Sequence, residues 1–161
     1  LFISEKHLVI IQTRNIYKTI LSLKDFLILD ERSKRNPWVH FDPKNYNKKD
    51  LIKLLIHYYV PFHVNFVKLW FESEIKAKKL FINYENFVKN PNQTLEKILS
   101  NQKQYIKQIP ELKKINKQKI HYNMGLEREN TLTDEEKKLI DDIVDINIKY
   151  SDPKIRSLIY Q

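Results

Sequence analysis

Residues 7–22 read HLVIIQTRNIYKTILS, and this stretch decides the fold class of the chain. Residues 7–13 form a continuous run rich in β-branched side chains, which is typical of a short strand buried in a parallel sheet. From Asn15 to Phe26 the apolar residues recur at helical spacing, so we predict a helix that packs back on the sheet. The apolar stripe of that helix consists of Ile16, Ile20, Leu23 and Leu27.

Arg14 stands where the predicted strand meets the predicted helix, and Ser22 follows it eight residues later. A guanidinium is a planar fork of donors that matches phosphate oxygens. The free backbone N–H groups and the positive dipole end of the helix face the same way. The junction therefore predicts a site for a phosphate-bearing ligand. In the alternative interpretation, Arg14 only caps a surface turn and Ser22 bonds a carbonyl one turn back in its helix.

Helices and strands continue to alternate along the chain. Residues 80–84 read LFINY and predict a second short strand, and Asn90-Pro91 then supplies a cap and a first-turn proline for a new helix. Pro61 is expected to separate two helices. The predicted helices cover residues 48–59, 63–78 and 137–150, with an irregular connection over 28–47 and a long loop over 103–130. The alternation predicts an α/β chain with parallel strands flanked by predominantly helical segments.

The helix over residues 137–150 carries the clearest local signals. Thr133-Asp134-Glu135-Glu136 matches a capping box, in which the threonine and the last glutamate bond each other's backbone N–H groups. The apolar residues that follow predict one buried face. That face is expected to contain Leu139, Ile140, Ile143, Val144 and Ile146.

Composition bounds the class of protein. A chain of 161 residues with 42% hydrophobic and 12% aromatic residues is expected to fold as one globular domain. No apolar run approaches the roughly 20 residues that span a bilayer. The single glycine, Gly125, excludes a complete glycine-rich nucleotide loop of the GxGxxG or GxxxxGK[ST] kind. The five histidines lack the HxxxH and HExxH arrangements, so no metal site is predicted.

Charge and cysteine content leave the partner and the compartment open. The net charge of +9 fits a polyanionic partner, but the lysines are scattered, and we favour compositional bias as their cause. The alternative is a basic helical domain that binds RNA or DNA through the lysines of residues 103–119, with Tyr105 stacking on bases. The absence of cysteine fits a reducing compartment and predicts a cytoplasmic protein, while a membrane-anchored Golgi form stays open.

The junction at Arg14 resembles the sulfotransferase family that uses 3'-phosphoadenosine 5'-phosphosulfate (PAPS). Members of that family carry an arginine at a strand end and a serine eight residues later, and the pair holds the 3'-phosphate of the nucleotide. The resemblance implies the same role for Arg14 and Ser22. Many members have a proline two residues after the arginine, and this chain has Ile16 there.

Two further stretches resemble the same family in the same order. The family's strand ends in Tyr-Glu-Asp before an Asp-Pro helix start, which implies that Tyr84 contacts the adenine and that Glu85 is structural rather than catalytic. Residues 121–128, HYNMGLER, resemble a basic loop that closes over the 3'-phosphate just before a Leu-Thr helix start. That likeness implies nucleotide contacts for Gly125 and Arg128.

The resemblance implies a partial P-loop-type three-layer sulfotransferase fold. Residues 1–161 would form a single domain that is the C-terminal portion of a sulfotransferase-like domain, with a helical insert over 28–78 shaping the acceptor site. The family's phosphosulfate loop and catalytic base lie upstream of the arginine strand, so both are expected before Leu1, and these residues alone are expected to be inactive. PAPS is the implied sulfuryl donor. The acceptor class stays open among carbohydrate, lipid, small molecule and protein tyrosine, and so does a non-catalytic remnant of the fold.

Overall fold

A computed structural model describes residues 3–29, 41–101 and 131–161 of the chain. The two strands are β1 (Leu8–Thr13) and β2 (Lys78–Asn83). The helices are α1 (Ile16–Leu29), α2 (Lys48–Glu72), α3 (Tyr84–Lys89), α4 (Pro91–Ser100), α5 (Asp134–Ile148) and α6 (Pro153–Tyr160), and a 3-10 turn over Pro43–Asn45 precedes α2. The predicted α/β class is confirmed, with helices dominating a small parallel sheet.

β1 and β2 pair in parallel, in a register that sets Leu8 opposite Lys78 and Thr13 opposite Asn83. In β1, Ile11 and Thr13 are buried, whereas Ile10, which precedes them on the opposite face of the strand, is 47% exposed. The prediction of a wholly buried strand is therefore wrong for one face. Successive side chains of a strand point to opposite faces, and in the part of the chain that the structure describes only one of those faces is covered at this position.

The core lies between α1, α2, α5 and α6. In α1, Ile16 and Ile20 are completely buried and Leu27 nearly so, which confirms the predicted apolar stripe. In α5, Ile140 and Val144 are buried, but Ile146 is 76% exposed and does not belong to the predicted face. A helix advances about 100° per residue, so Ile146 has turned away from the stripe that Ile140 and Val144 define.

Pro61 lies inside α2, so the prediction of two separate helices is wrong. A proline removes one backbone hydrogen bond and disfavours a helix interior. Here the residues on both sides of Pro61 are anchored in the core: Ile56 and Val60 before it, and Val64 and Val67 after it, are all fully buried. Tertiary packing therefore stabilises one continuous helix through Pro61. The helix also ends at Glu72, six residues before the predicted end, and β2 begins at Lys78.

The end of α2 is capped by a lysine from β2. The Nζ atom of Lys79 donates to the carbonyl oxygens of Trp70 at 3.1 Å, Phe71 at 2.9 Å and Ser73 at 2.8 Å. The last carbonyls of a helix lack partners within it and carry the negative end of its dipole. The ammonium satisfies three of these groups and ties the helix to the strand that follows.

Side-chain caps start α3, α5 and α6. Asn83 caps α3 by accepting a hydrogen bond from the backbone N–H of Asn86 at 2.8 Å, so the second strand ends at Asn83, one residue earlier than predicted. Both bonds of the predicted capping box at Thr133 are present. Helix α6, which Asp152 caps, was not predicted from the sequence. Within the described residues, no helix combines the length and the apolar character needed to cross a membrane.

Candidate anion-binding site at the strand ends

The parallel pairing brings Arg14 and Tyr84 together. Thr13 and Asn83 are paired, so the two segments that follow them leave the sheet side by side. The first residues of these segments are Arg14 and Tyr84. The guanidinium carbon of Arg14 lies 4.6 Å from the centroid of the Tyr84 ring, within the range of a cation–π contact. The two residues that the sequence analysis assigned to a phosphate and to a base are thus neighbours.

Glu85 forms an ion pair with Arg14. Its Oε1 atom lies 3.5 Å from Nε of Arg14 and 3.9 Å from Nζ of Lys18, and its Oε2 atom accepts a hydrogen bond from Asn83 at 3.2 Å. Both Nε of Arg14 and Oε1 of Glu85 are buried without a hydrogen-bond partner, so this contact is an ion pair without hydrogen-bond geometry. Glu85 thus lies against basic partners, which fits the structural role predicted for it.

Arg14 keeps donors available for a ligand. Its side chain is 30% exposed, and no hydrogen bond to a described residue occupies its two terminal nitrogens. Lys18 is more exposed, at 59% of its side-chain surface. Two cations therefore face one carboxylate, and the local charge is positive.

Asn15 fixes the corner between β1 and α1. Its Oδ1 atom accepts the backbone N–H of Lys18 at 3.2 Å, and its carbonyl accepts both the N–H and the hydroxyl of Thr19 at 2.9 Å. Its Nδ2 atom donates to the carbonyl of Tyr160 in α6 at 2.8 Å. One of the helix N–H groups expected to face the ligand is therefore occupied by Asn15, and the corner itself is held rigidly.

Ser22 lies in α1, half-buried, eight residues beyond Arg14. Lys18, four residues before Ser22 in α1, shares a helix face with it, and Arg14 precedes the helix. The hydroxyl of Ser22 makes no hydrogen bond to a described residue, whereas Thr19 on the same helix does bond a carbonyl four residues back. The alternative interpretation, a serine that bonds its own helix, is not seen among the described residues.

Tyr59 of α2 is electrostatically coupled to the site. Burial raises the pKa of Tyr59, and the positive charge of Arg14 opposes that shift. Tyr59 stacks on His63 with ring centroids 5.8 Å apart. His63 is buried, its Nε2 atom has no partner, and burial lowers its pKa to about 4. His63 is therefore a neutral core imidazole above pH 5.

A cleft of about 470 Å³ begins beside the end of β2. Its lining is rich in amide side chains and contains no carboxylate side chain; it includes Asn83, Asn86, Asn90, Gln93 and Lys97. Asn90 is the N-cap residue of α4, yet its side chain does not accept a capping hydrogen bond. Amides carry both donors and acceptors, so this cleft suits a ligand with both on one edge.

The structure brings some of the predicted site residues together, and others lie outside the described residues. Arg14, Tyr84 and Glu85 are in contact, and Ser22 lies on the helix that Arg14 precedes. Gly125 and Arg128 lie outside the described residues. In the parts of the chain that are described, no cluster of three or more potential metal ligands occurs.

Lys18 and Tyr59 were not predicted from the sequence as site residues. Lys18 had a usable signal, because it lies four residues before Ser22 on one face of the helix. Tyr59 had none, since its electrostatic relation to Arg14 joins segments that are distant in the sequence.

Comparisons with known proteins add no relationship to this geometry. A scan against protein-family models, a search of curated proteins and a search of solved structures each found no match to the chain. The fold and the site define an α/β chain with a basic, ligand-accessible corner where two parallel strands end.

Proposed function

We propose that this chain is part of a sulfotransferase that moves a sulfuryl group from PAPS to an acceptor hydroxyl or amine. In this proposal it has a partial P-loop-type three-layer fold and supplies the half of the donor site that holds the 3'-phosphate and the adenine. The observation that carries the proposal is the contact between Arg14 and Tyr84 at the carboxyl ends of adjacent parallel strands. Ligands of open α/β sheets bind at those ends.

The 3'-phosphate would be held by the stripe of Arg14, Lys18 and Ser22. Lys18 and Ser22 lie four residues, about 6 Å, apart on one face of α1, and Arg14 comes just before the helix, so a phosphate held by all three would lie at the N-terminal end of that face. Arg14 offers its terminal nitrogens, Lys18 a charge, and Ser22 a hydroxyl without a partner among the described residues. Charge-assisted hydrogen bonds to a phosphate are about twice as strong as neutral ones, and Arg14 would supply them.

The adenine would lie near Tyr84 and the amide-lined cleft. Arg14 covers the ring of Tyr84 and holds it in place. Asn and Gln side chains match the donor and acceptor edge of adenine in a bidentate manner. The cleft presents several such amides beginning at Asn83, the residue before Tyr84. This arrangement supports a purine base in preference to a simple phosphate.

These residues would bind the donor without performing the transfer. The chain contains one glycine and therefore no glycine-rich loop for the phosphosulfate end. No described residue is assigned as the base that removes the acceptor's proton, since His63 is buried. Binding of the nucleotide, rather than turnover, is thus the property to measure.

Calorimetric titration with adenosine 3',5'-bisphosphate tests the proposal. We expect saturable one-site binding, weakened about tenfold or more in Arg14→Ala, because the lost hydrogen bonds are charge-assisted. Arg156→Ala is the matched control, since Arg156 also lies over a tyrosine ring and pairs with a carboxylate, but at another place in the fold.

Adenosine 5'-monophosphate separates recognition of the 3'-phosphate from general affinity for nucleotides. It should bind at least tenfold more weakly than the bisphosphate if Arg14 reads the 3'-phosphate. Equal binding of both nucleotides, or unchanged binding in Arg14→Ala, would contradict the proposal. Affinity that depends only on polyanion length and salt would favour the nucleic-acid alternative.

A further inference from the structure

The C-terminal half of α2 presents a row of exposed apolar residues to solvent. Tyr58 is 79% exposed, Phe62 61% and Leu69 70%, and Asn65 between them is exposed as well. Phe66 beside this row is 37% exposed and makes an edge contact with Trp70. No other described element covers the row. Contiguous apolar patches beyond a few hundred Å² usually mark an interaction site.

The spacing of the row is that of a helix–helix seam. We call Tyr58, Phe62, Asn65 and Leu69 the α2 seam; its members are four, three and four residues apart. Alternation of three and four residues keeps side chains on one line and is the repeat by which two helices pack knobs into holes. The seam carries no charged residue, and a single amide interrupts it at Asn65.

The exposed area suits a second copy of the chain. A fully exposed aromatic side chain presents roughly 150–250 Å², so the seam and Phe66 leave on the order of 500 Å² uncovered on one molecule. Two copies would bury on the order of 1,000 Å², the lower limit for a specific interface. An interface of this size implies a weak dimer.

We propose that this protein forms a homodimer in which the α2 seams of two copies pack against each other in antiparallel orientation. The seam is symmetric about its midpoint, so an antiparallel pair sets Tyr58 against Leu69 of the partner subunit and Phe62 against Asn65 of the partner subunit. A two-fold axis repeats each pair, as an isologous interface requires. Antiparallel packing also opposes the two helix dipoles.

Sedimentation equilibrium over a range of protein concentration tests the association. We expect a monomer–dimer equilibrium with a dissociation constant of roughly 1–100 μM, given the small interface. Leu69→Lys should weaken it at least about tenfold, because a buried ammonium has no partner in the seam. Ile146→Lys is the matched control: Ile146 is 76% exposed on α5 and should leave the association unchanged.

Disulfide cross-linking tests the orientation, and the chain is suited to it because it contains no cysteine. Tyr58→Cys and Leu69→Cys, mixed and oxidised, should form a mixed covalent dimer, since bridged residues need Cα atoms within about 7 Å. Tyr58→Cys alone should not cross-link, because its two copies would be about 17 Å apart along the helices.

Four outcomes would overturn the proposal. The first is a monomer at every concentration, and the second is an association that Leu69→Lys leaves unchanged. The third is efficient cross-linking of Tyr58→Cys with itself, which would mean a parallel pair. Binding of a monomeric chain to phosphatidylcholine–phosphatidylserine vesicles would likewise assign the seam to a lipid surface.

Discussion

The guanidinium carbon of Arg14 lies 4.6 Å from the ring centroid of Tyr84, although the two residues are far apart in the chain. The contact follows from the register of the sheet, in which Thr13 pairs with Asn83. An arginine over an aromatic ring offers a charge for a phosphate beside a flat surface for a base. The relationship therefore unites, in one corner, the two chemical features that a nucleotide requires.

Replacing Tyr84 should weaken the contact with the adenine base more than the contact with the phosphate. We expect Tyr84→Ala to weaken adenosine 3',5'-bisphosphate binding about tenfold, because stacking on an aromatic side chain contributes roughly 1–3 kcal/mol. Tyr84→Phe keeps the aromatic ring and should lose little affinity for the nucleotide. Calorimetry on both variants checks this. Equal losses in the two variants would show that the hydroxyl, not the ring face, makes the contact.

His63 should make the fold sensitive to acid. Burial lowers its pKa to about 4 in the folded state, against 6.5 in the unfolded chain. The unfolded state therefore binds a proton first, so stability falls as pH drops from about 6.5 to about 4, by up to about 3 kcal/mol. Urea unfolding between pH 7 and pH 4.5 measures the loss.

The His63→Leu variant isolates this effect from the carboxylates, which titrate in both proteins. Its stability should fall less between pH 7 and pH 4.5 than that of the parent chain. His57→Leu is the control, because His57 is exposed on the same helix and should keep the parent profile. Superimposable pH profiles for His63→Leu and the parent would refute the assignment.

Lys79 should contribute to stability through the end of α2. Lys79→Met leaves three carbonyl groups without their ammonium partner, so we expect a loss of about 1–3 kcal/mol in the free energy of unfolding. Lys78→Met is the control, since Lys78 is the exposed neighbouring residue of β2. Chemical denaturation followed by circular dichroism compares them; similar midpoints for the two variants would count against the cap.

Tyr17 and Tyr160 should lose their hydroxyl protons at higher pH than an ordinary tyrosine. Both hydroxyls donate to Oδ1 of Asp141, at 2.6 and 2.5 Å, and burial together with that carboxylate raises the pKa of Tyr17 to about 12 and that of Tyr160 further. Their protonated forms stabilise the fold below pH 10, and this contribution is lost as pH rises through their folded pKa values.

Ultraviolet absorbance of tyrosinate follows this directly. Between pH 9 and pH 11 the folded protein should ionise fewer tyrosines than the Asp141→Asn variant, in which the charge that holds the protons is gone. Tyr150→Phe is the control for the loss of a tyrosine, because Tyr150 is 91% exposed and is not one of the two tyrosines that donate to Asp141. Identical titration curves for Asp141→Asn and the parent would contradict the hydrogen-bond arrangement.

Local signals in the sequence predicted most helix starts. The capping box at Thr133 and the Asn90-Pro91 helix start are both present, and the Ile16–Ile20 stripe is buried as expected. Helix α6 could have been predicted too, since Asp152 and Pro153 form a cap and a first-turn proline. These features depend on residues within a few positions of each other, which the linear sequence displays.

By itself, the sequence determined the α/β class, the strand before Arg14, and the starts of α4 and α5, because each depends on short-range backbone chemistry. Only the tertiary structure decided that α2 continues through Pro61 and that Arg14 lies on Tyr84. Those outcomes depend on packing and strand register between distant segments, where core contacts outweigh local propensity.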